Sequence, residues 1–207
     1  MKRSLTAWVL ANAIGFGLAF LVIMQLVNLV ELGQWSWSDE EIGSGFRAYL
    51  ARLVSLLGAG AILGIAQCRL LRINSASRGN WILYSAVGYS AASLIIWPLM
   101  YFDSWGGTPM PIEPIVNLVG GGSLAGVAQY FYFRRLNIDA GKWLGLWVLG
   151  LIASVIPVGL TFAILFGPLD VSLGWPVEVA INGLITGAVA AFISGGAFFK
   201  ALSASGN

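Results

Sequence analysis

The chain has 207 residues, of which 58% are hydrophobic and 10% charged, and its mean hydropathy is +0.83. Soluble domains carry about a quarter charged residues, so this composition excludes an ordinary soluble protein and points to a polytopic membrane protein. Histidine is absent and Cys68 is the only cysteine, which removes the commonest general base and transition-metal ligand together with any internal disulfide or Cys-x-x-Cys site.

Six apolar segments follow in chain order: Leu5–Val30, Leu50–Cys68, Trp81–Phe102, Ile112–Phe133, Trp143–Phe166 and Val177–Phe199. At 1.5 Å per residue each spans roughly 28–39 Å, enough to cross a hydrocarbon core of about 30 Å. Backbone groups in lipid must be bonded within the segment, which predicts helices. The start Met1-Lys2-Arg3 before an apolar run imitates a signal peptide. However, the 26 residues from Leu5 to Val30 exceed a typical signal core and belong to the repeat described below.

The connecting segments sort by charge. Lys2, Arg3, Arg69, Arg72, Arg78, Arg134, Arg135, Lys142 and Lys200 gather on one side with a single acid, Asp139. Glu31, Asp39, Glu40, Glu41, Asp103, Glu113, Asp170 and Glu178 gather on the other with Arg47 and Arg52. The positive-inside rule then predicts both termini in the cytoplasm, in a bacterial inner or thylakoid membrane.

An eight-residue stretch recurs. Gly60-Ala61-Ile62-Leu63-Gly64-Ile65-Ala66-Gln67 returns as Gly122-Ser123-Leu124-Ala125-Gly126-Val127-Ala128-Gln129. A third copy, Gly183-Leu184-Ile185-Thr186-Gly187-Ala188-Val189-Ala190, keeps the glycines and loses the glutamine. Gly64 to Gly126 is 62 positions and Gly126 to Gly187 is 61. The odd segments repeat as well, from Trp8 to Gly15, Trp81 to Gly88 and Trp143 to Gly150, with 11 extra residues in the first copy that fall in the stretch Glu31–Gly45. The expectation is one transmembrane domain over 1–207, six helices forming three parallel hairpin repeats at approximately 5–72, 78–135 and 141–200. Such repeats are related by rotation about the membrane normal, and a pseudo-threefold ring or a row of three would both satisfy the sequence.

The glycine pairs Gly60/Gly64, Gly122/Gly126 and Gly183/Gly187 let another helix approach closely. Packing within the chain, a partner subunit, or a flat pigment or lipid on the strip would each use them. Gln67 and Gln129 lie three residues beyond the second glycine and could bond each other, backbone groups or a ligand; Ala190 in the third copy excludes a symmetric three-amide site. Asn12, Gln25, Asn28, Asn117, Asn182, Thr161 and Thr186 are the other polar residues at membrane depth. Arg52 is set at a depth to pair with Glu113 or Glu178 across hairpins. Trp8, Trp81 and Trp143 stand at segment ends, where an interfacial aromatic belt is expected. Cys68 reads as a small apolar helix residue near a membrane face. Pro98 and Pro157 fall inside the third and fifth segments, where proline kinks a helix.

The glycine-glutamine-arginine pattern resembles a family of repeat membrane proteins found in cyanobacteria, whose fuller form is close to G-x-x-x-G-x-x-Q-W-x-x-L-R-R followed by G-W-W-V. The matching residues are Gly60, Gly64, Gln67, Leu71, Arg72 and Trp81, then Gly122, Gly126, Gln129, Arg134, Arg135 and Trp143. The family's tryptophan after glutamine is replaced by Cys68 and Tyr130. The resemblance implies the repeat architecture and no assigned activity. The five-helix tryptophan-rich sensory proteins have the wrong repeat count, and the mitochondrial carriers' proline-acid-base ends are missing at Pro98-Leu99-Met100.

The leading functional expectation is a non-enzymatic accessory, scaffold or assembly subunit of a larger membrane complex, with lipid or pigment as the only candidate cofactors and no nucleic-acid partner. The alternative is a small-solute transporter or channel whose path is lined by Gln67, Gln129, Asn117 and Asn182. Ion coupling usually places acids within the membrane, and none is evident.

Overall fold

The structure, a computed structural model, describes residues 4–31, 42–71, 75–92, 116–166 and 175–204. All regular elements among them are helical: α1 (Leu5–Glu31), α2 (Ile42–Leu71), α3 (Ser75–Ser90), α4 (Gly122–Arg135), α5 (Gly141–Phe166) and α6 (Trp175–Ala204). A six-residue π-helical turn, Val116–Gly121, runs directly into α4. Each helix packs against its neighbours in chain order, and α6 packs back on α1, so the six close into a ring.

Local chemistry sets several boundaries. The Ala7 N–H donates to Ser4 Oγ at 3.1 Å, capping α1. The end of α4 is a Schellman turn. Asn137 takes the left-handed conformation (φ 57°), the Ile138 N–H donates to Phe133 O at 3.0 Å, and the Asn137 N–H donates to Arg134 O at 3.1 Å. The Ile138 side chain is buried, as that motif prefers. Asp139 Oδ1 then accepts the Gly141 N–H at 3.1 Å and turns the chain into α5. Pro157 lies inside α5, and the Thr161 hydroxyl donates to its carbonyl at 2.8 Å.

Four helices begin before the apolar segments do: α2 at Ile42 rather than Leu50, α3 at Ser75 rather than Trp81, α5 at Gly141 rather than Trp143, and α6 at Trp175 rather than Val177. Hydropathy marks the stretch suited to lipid, whereas backbone hydrogen bonding propagates past it into polar ends. Pro98 and Glu113 lie outside the described residues.

α1, α5 and α6 are each long and apolar enough to cross a membrane, over Leu5–Val22, Gly141–Thr161 and Ala180–Ser203, and α2 carries a shorter apolar stretch, Leu53–Arg69. Their apolar faces point outward. Leu10, Ile14 and Leu18 form an exposed stripe on α1, and Leu149, Ile152, Ile156, Leu160 and Ile164 another on α5. Polar Asn12, Ser55, Gln67, Ser85, Gln129, Ser154 and Thr186 are buried instead. A water-soluble bundle would be arranged the other way round, so this is a helical membrane protein.

The glycines set how closely the ring closes. A Cβ on Gly60 would lie 2.5 Å from Ser85 O and 2.7 Å from Ala86 Cα, and one on Gly64 would lie 2.9 Å from Ile82 Cα. On α4, Gly122 meets Leu151 and Gly126 meets Trp147 of α5. On α6, Gly183 meets Phe16 O, and Gly187 meets the Asn12 carbonyl of α1. All three pairs are thus turned to a neighbouring helix of this chain.

Candidate functional site

The inward face of each odd helix begins with tryptophan. Trp8, Trp81 and Trp143 are 0%, 1% and 1% exposed. The expected interfacial belt is therefore corrected: these indoles fill the ring interior. The reason lies in their helical register. Trp8 shares a face with Asn12 and Phe16, Trp81 with Ser85 and Tyr89, and Trp143 with Trp147 and Leu151, at steps of four. A stripe that carries polar atoms turns away from lipid and takes its tryptophan with it. Cys68, read as a small apolar helix residue, is fully buried, with Sγ 3.9 Å from Arg78 O.

At the centre Gln67 ties four helices. Its Nε2 donates to Asn12 Oδ1 of α1 at 2.7 Å. Its Oε1 accepts from Trp81 Nε1 of α3 at 2.8 Å and from Gln129 Nε2 of α4 at 2.9 Å. Asn12 in turn donates to Trp8 O at 2.8 Å. Gln129 Nε2 also donates to Ser85 Oγ at 2.7 Å, and the Ser85 hydroxyl donates to Trp81 O at 2.8 Å. The fifth helix joins through Trp147, whose Nε1 donates to Gly122 O at 2.9 Å. Interhelical bonds of this kind contribute roughly 0.6–2 kcal/mol each in membranes.

Aromatic rings close the space around this network. Trp8 stacks on Phe198 of α6, with centroids 3.9 Å apart and planes 14° from parallel. Phe198 also lies against Trp81, Phe133 and Trp143. About two turns further along α1 from Trp8, Phe16 contacts both Tyr89 and Trp147. The axis of the ring is occupied by side chains at these levels. Some buried polar atoms have no partner among the described residues: Trp8 Nε1, Trp143 Nε1, Gln129 Oε1, Tyr89 OH, Thr186 Oγ1 and Ser194 Oγ.

Four amides are expected from the sequence to line one path. Gln67 and Gln129 bond each other. Asn182 is buried on α6, eight residues from Ala190, or about 12 Å along the helix. Asn117 lies on the π turn twelve residues before Gln129, with its side chain outside the described part. Glu178 is buried one turn before Asn182; the proposed pairing with Arg52 falls on a side chain outside the described part, as does Glu113 entirely. Ser85, Trp81 and Trp147 escaped sequence reasoning as members of the site. The available signal was that Asn12 and Ser85 occupy the same repeat position, four residues after a tryptophan.

Comparison of the chain with family models, curated proteins and solved structures gives no match.

Proposed function

We propose that the chain is a scaffold or assembly subunit of a larger membrane complex, built as three parallel hairpins about a pseudo-threefold axis, with both termini on the basic, cytoplasmic side. One observation carries the reading: the ring axis is filled by mutually bonded amides and packed aromatics, so the outward apolar faces are left as the working surface. Contacts that recur under the repeat spacing support the three-hairpin architecture. Gly64, Gly126 and Gly187 meet Ser85, Trp147 and Asn12, which are equivalent positions 62 and 73 residues apart. Arg69 in the last turn of α2 and Arg134 and Arg135 in that of α4, against Glu31 at the end of α1 and Glu178 in the first turn of α6, support the orientation.

Native mass spectrometry of protein gently extracted from its own membrane tests this, with an absorbance spectrum of the same sample. Other subunits in fixed ratio are expected. Recovery of the chain alone, or as a pure homo-oligomer, together with solute flux into reconstituted vesicles, would replace the scaffold by a transporter.

A further inference from the structure

Outside the ring, a groove of about 520 Å³ runs between α3 and α4, lined by Tyr84, Val87, Ala128, Phe131, Arg134 and Arg135. Its floor is apolar and faces outward: Val87 is 52% exposed and Phe131 58%. Its mouth is basic. Arg134 and Arg135 form the last turn of α4 and are exposed, and the Arg135 guanidinium lies 5.7 Å from the centre of the Tyr84 ring. Such a cation–π contact holds the guanidinium at the mouth. Neither arginine has an acidic partner among the described residues, and the acid closest in sequence, Asp139, accepts the Gly141 N–H.

Basic side chains at a helix C-terminus complement the dipole and set topology, which explains their sign. It does not explain two adjacent arginines above an outward-facing apolar trough. By the repeat spacing, the corresponding pairs in the other hairpins are Arg72-Ile73 and Gly195-Gly196, so the double charge belongs to the middle hairpin alone. From Ala128 to Arg135 is seven residues, or about 10 Å along the helix, the scale of a headgroup and the first part of an acyl chain.

We propose that this groove seats one anionic glycerophospholipid, its phosphate on Arg134 and Arg135 and an acyl chain along Val87, Ala128 and Phe131. The charge complementarity is specific: a guanidinium pair offers phosphate bidentate donors, which a zwitterionic headgroup shields with its own cation.

The test is lipid retention by the full chain in native mass spectrometry, titrated with phosphatidylglycerol and with phosphatidylcholine of identical acyl chains. The wild type is expected to hold one phosphatidylglycerol in preference. R134Q/R135Q should weaken it about twenty-five-fold, roughly fivefold for each basic residue at the membrane surface. K142Q/K200Q, which removes two exposed cations outside the groove, should leave it unchanged. V87W, which fills the trough and keeps both arginines, should also weaken it, and it serves as the test if the double arginine variant fails to fold by circular dichroism. Equal retention of the two lipids, equal loss in K142Q/K200Q, unchanged retention in V87W, or displacement by millimolar inorganic phosphate would each overturn the proposal.

Discussion

Gln67 and Gln129 stand 62 positions apart at the same place in the repeat, yet only one is fully used. Both donate to the helix that precedes them in the chain, Gln67 to Asn12 and Gln129 to Ser85. Their oxygens differ. Gln67 Oε1 accepts from Trp81 and from Gln129, whereas Gln129 Oε1 has no partner among the described residues. The indole that would match Trp81 is Trp143, and its Nε1 is likewise without one. In the third copy Ala190 replaces the amide and Trp147 replaces Asn12 or Ser85, so that corner is closed by rings, with Trp8 stacked on Phe198. A repeated sequence has thus produced one polar hub, one half-used copy and one aromatic copy. Three identical amides around one axis would compete for the same small space, and asymmetry lets a single glutamine satisfy its neighbours.

The sharpest break of this comparison is Gln67→Leu. It removes three hydrogen bonds and strands the Trp81 N–H, the Asn12 oxygen and part of the Gln129 amide inside the ring. A loss of about 3 kcal/mol is expected, at roughly 1 kcal/mol for each bond. Gln129→Leu removes two bonds and strands less, so about 1–2 kcal/mol is expected. Denaturant titration of the detergent-solubilised variants, followed by circular dichroism, measures both. Equal losses would mean that the two amides share the load and that the hub is not at Gln67.

The same asymmetry explains what could be read from the sequence. The spacing of Gly60, Gly122 and Gly183 was legible because close helix approach demands glycine at fixed intervals. Segment number was legible because hydropathy is additive along the chain. Closure of α6 on α1 was not, since a ring and a row of hairpins need the same residues locally and differ only in a contact between the two ends of the chain. The tryptophans misled for another reason. Position along the chain places Trp8, Trp81 and Trp143 near the ends of apolar segments, where an interfacial belt is expected, but rotation about the helix decides whether they meet lipid or the interior. That rotation was encoded in Asn12 and Ser85, polar residues that share their face and must be hidden. The hub itself was not legible, because nothing local distinguishes Gln67 from Gln129.

A second contrast concerns glycine within one helix. Gly60 faces the α3 backbone at 2.5 Å from where a Cβ would sit, while Gly58, two residues earlier, faces open space. Gly60→Ala must push α2 off α3 and is expected to destabilise by about 2 kcal/mol, as overpacking of a tight interface does. Gly58→Ala meets nothing and should be neutral or slightly stabilising, since alanine favours helix. The same titration separates them. If both variants behave alike, the close approach at Gly60 is not what holds α2 against α3.

The smallest effect isolates the hydrogen bond from the ring. Trp81→Phe and Trp143→Phe remove the same atoms from two indoles that are equally buried and equivalent in the repeat. Each loses comparable apolar area and opens a comparable space. Only Trp81 also loses a bond, and with it leaves Gln67 Oε1 a single donor. Trp143→Phe removes a buried N–H that has no acceptor among the described residues, which relieves an unmet desolvation cost. The difference between the two losses should therefore be about 1 kcal/mol, with Trp81→Phe the weaker protein. If Trp143→Phe costs as much, its N–H reaches an acceptor in the membrane-embedded protein, with Gln129 Oε1 as the available group. The double variant Trp143→Phe/Gln129→Leu would then show coupling where the present geometry requires simple addition.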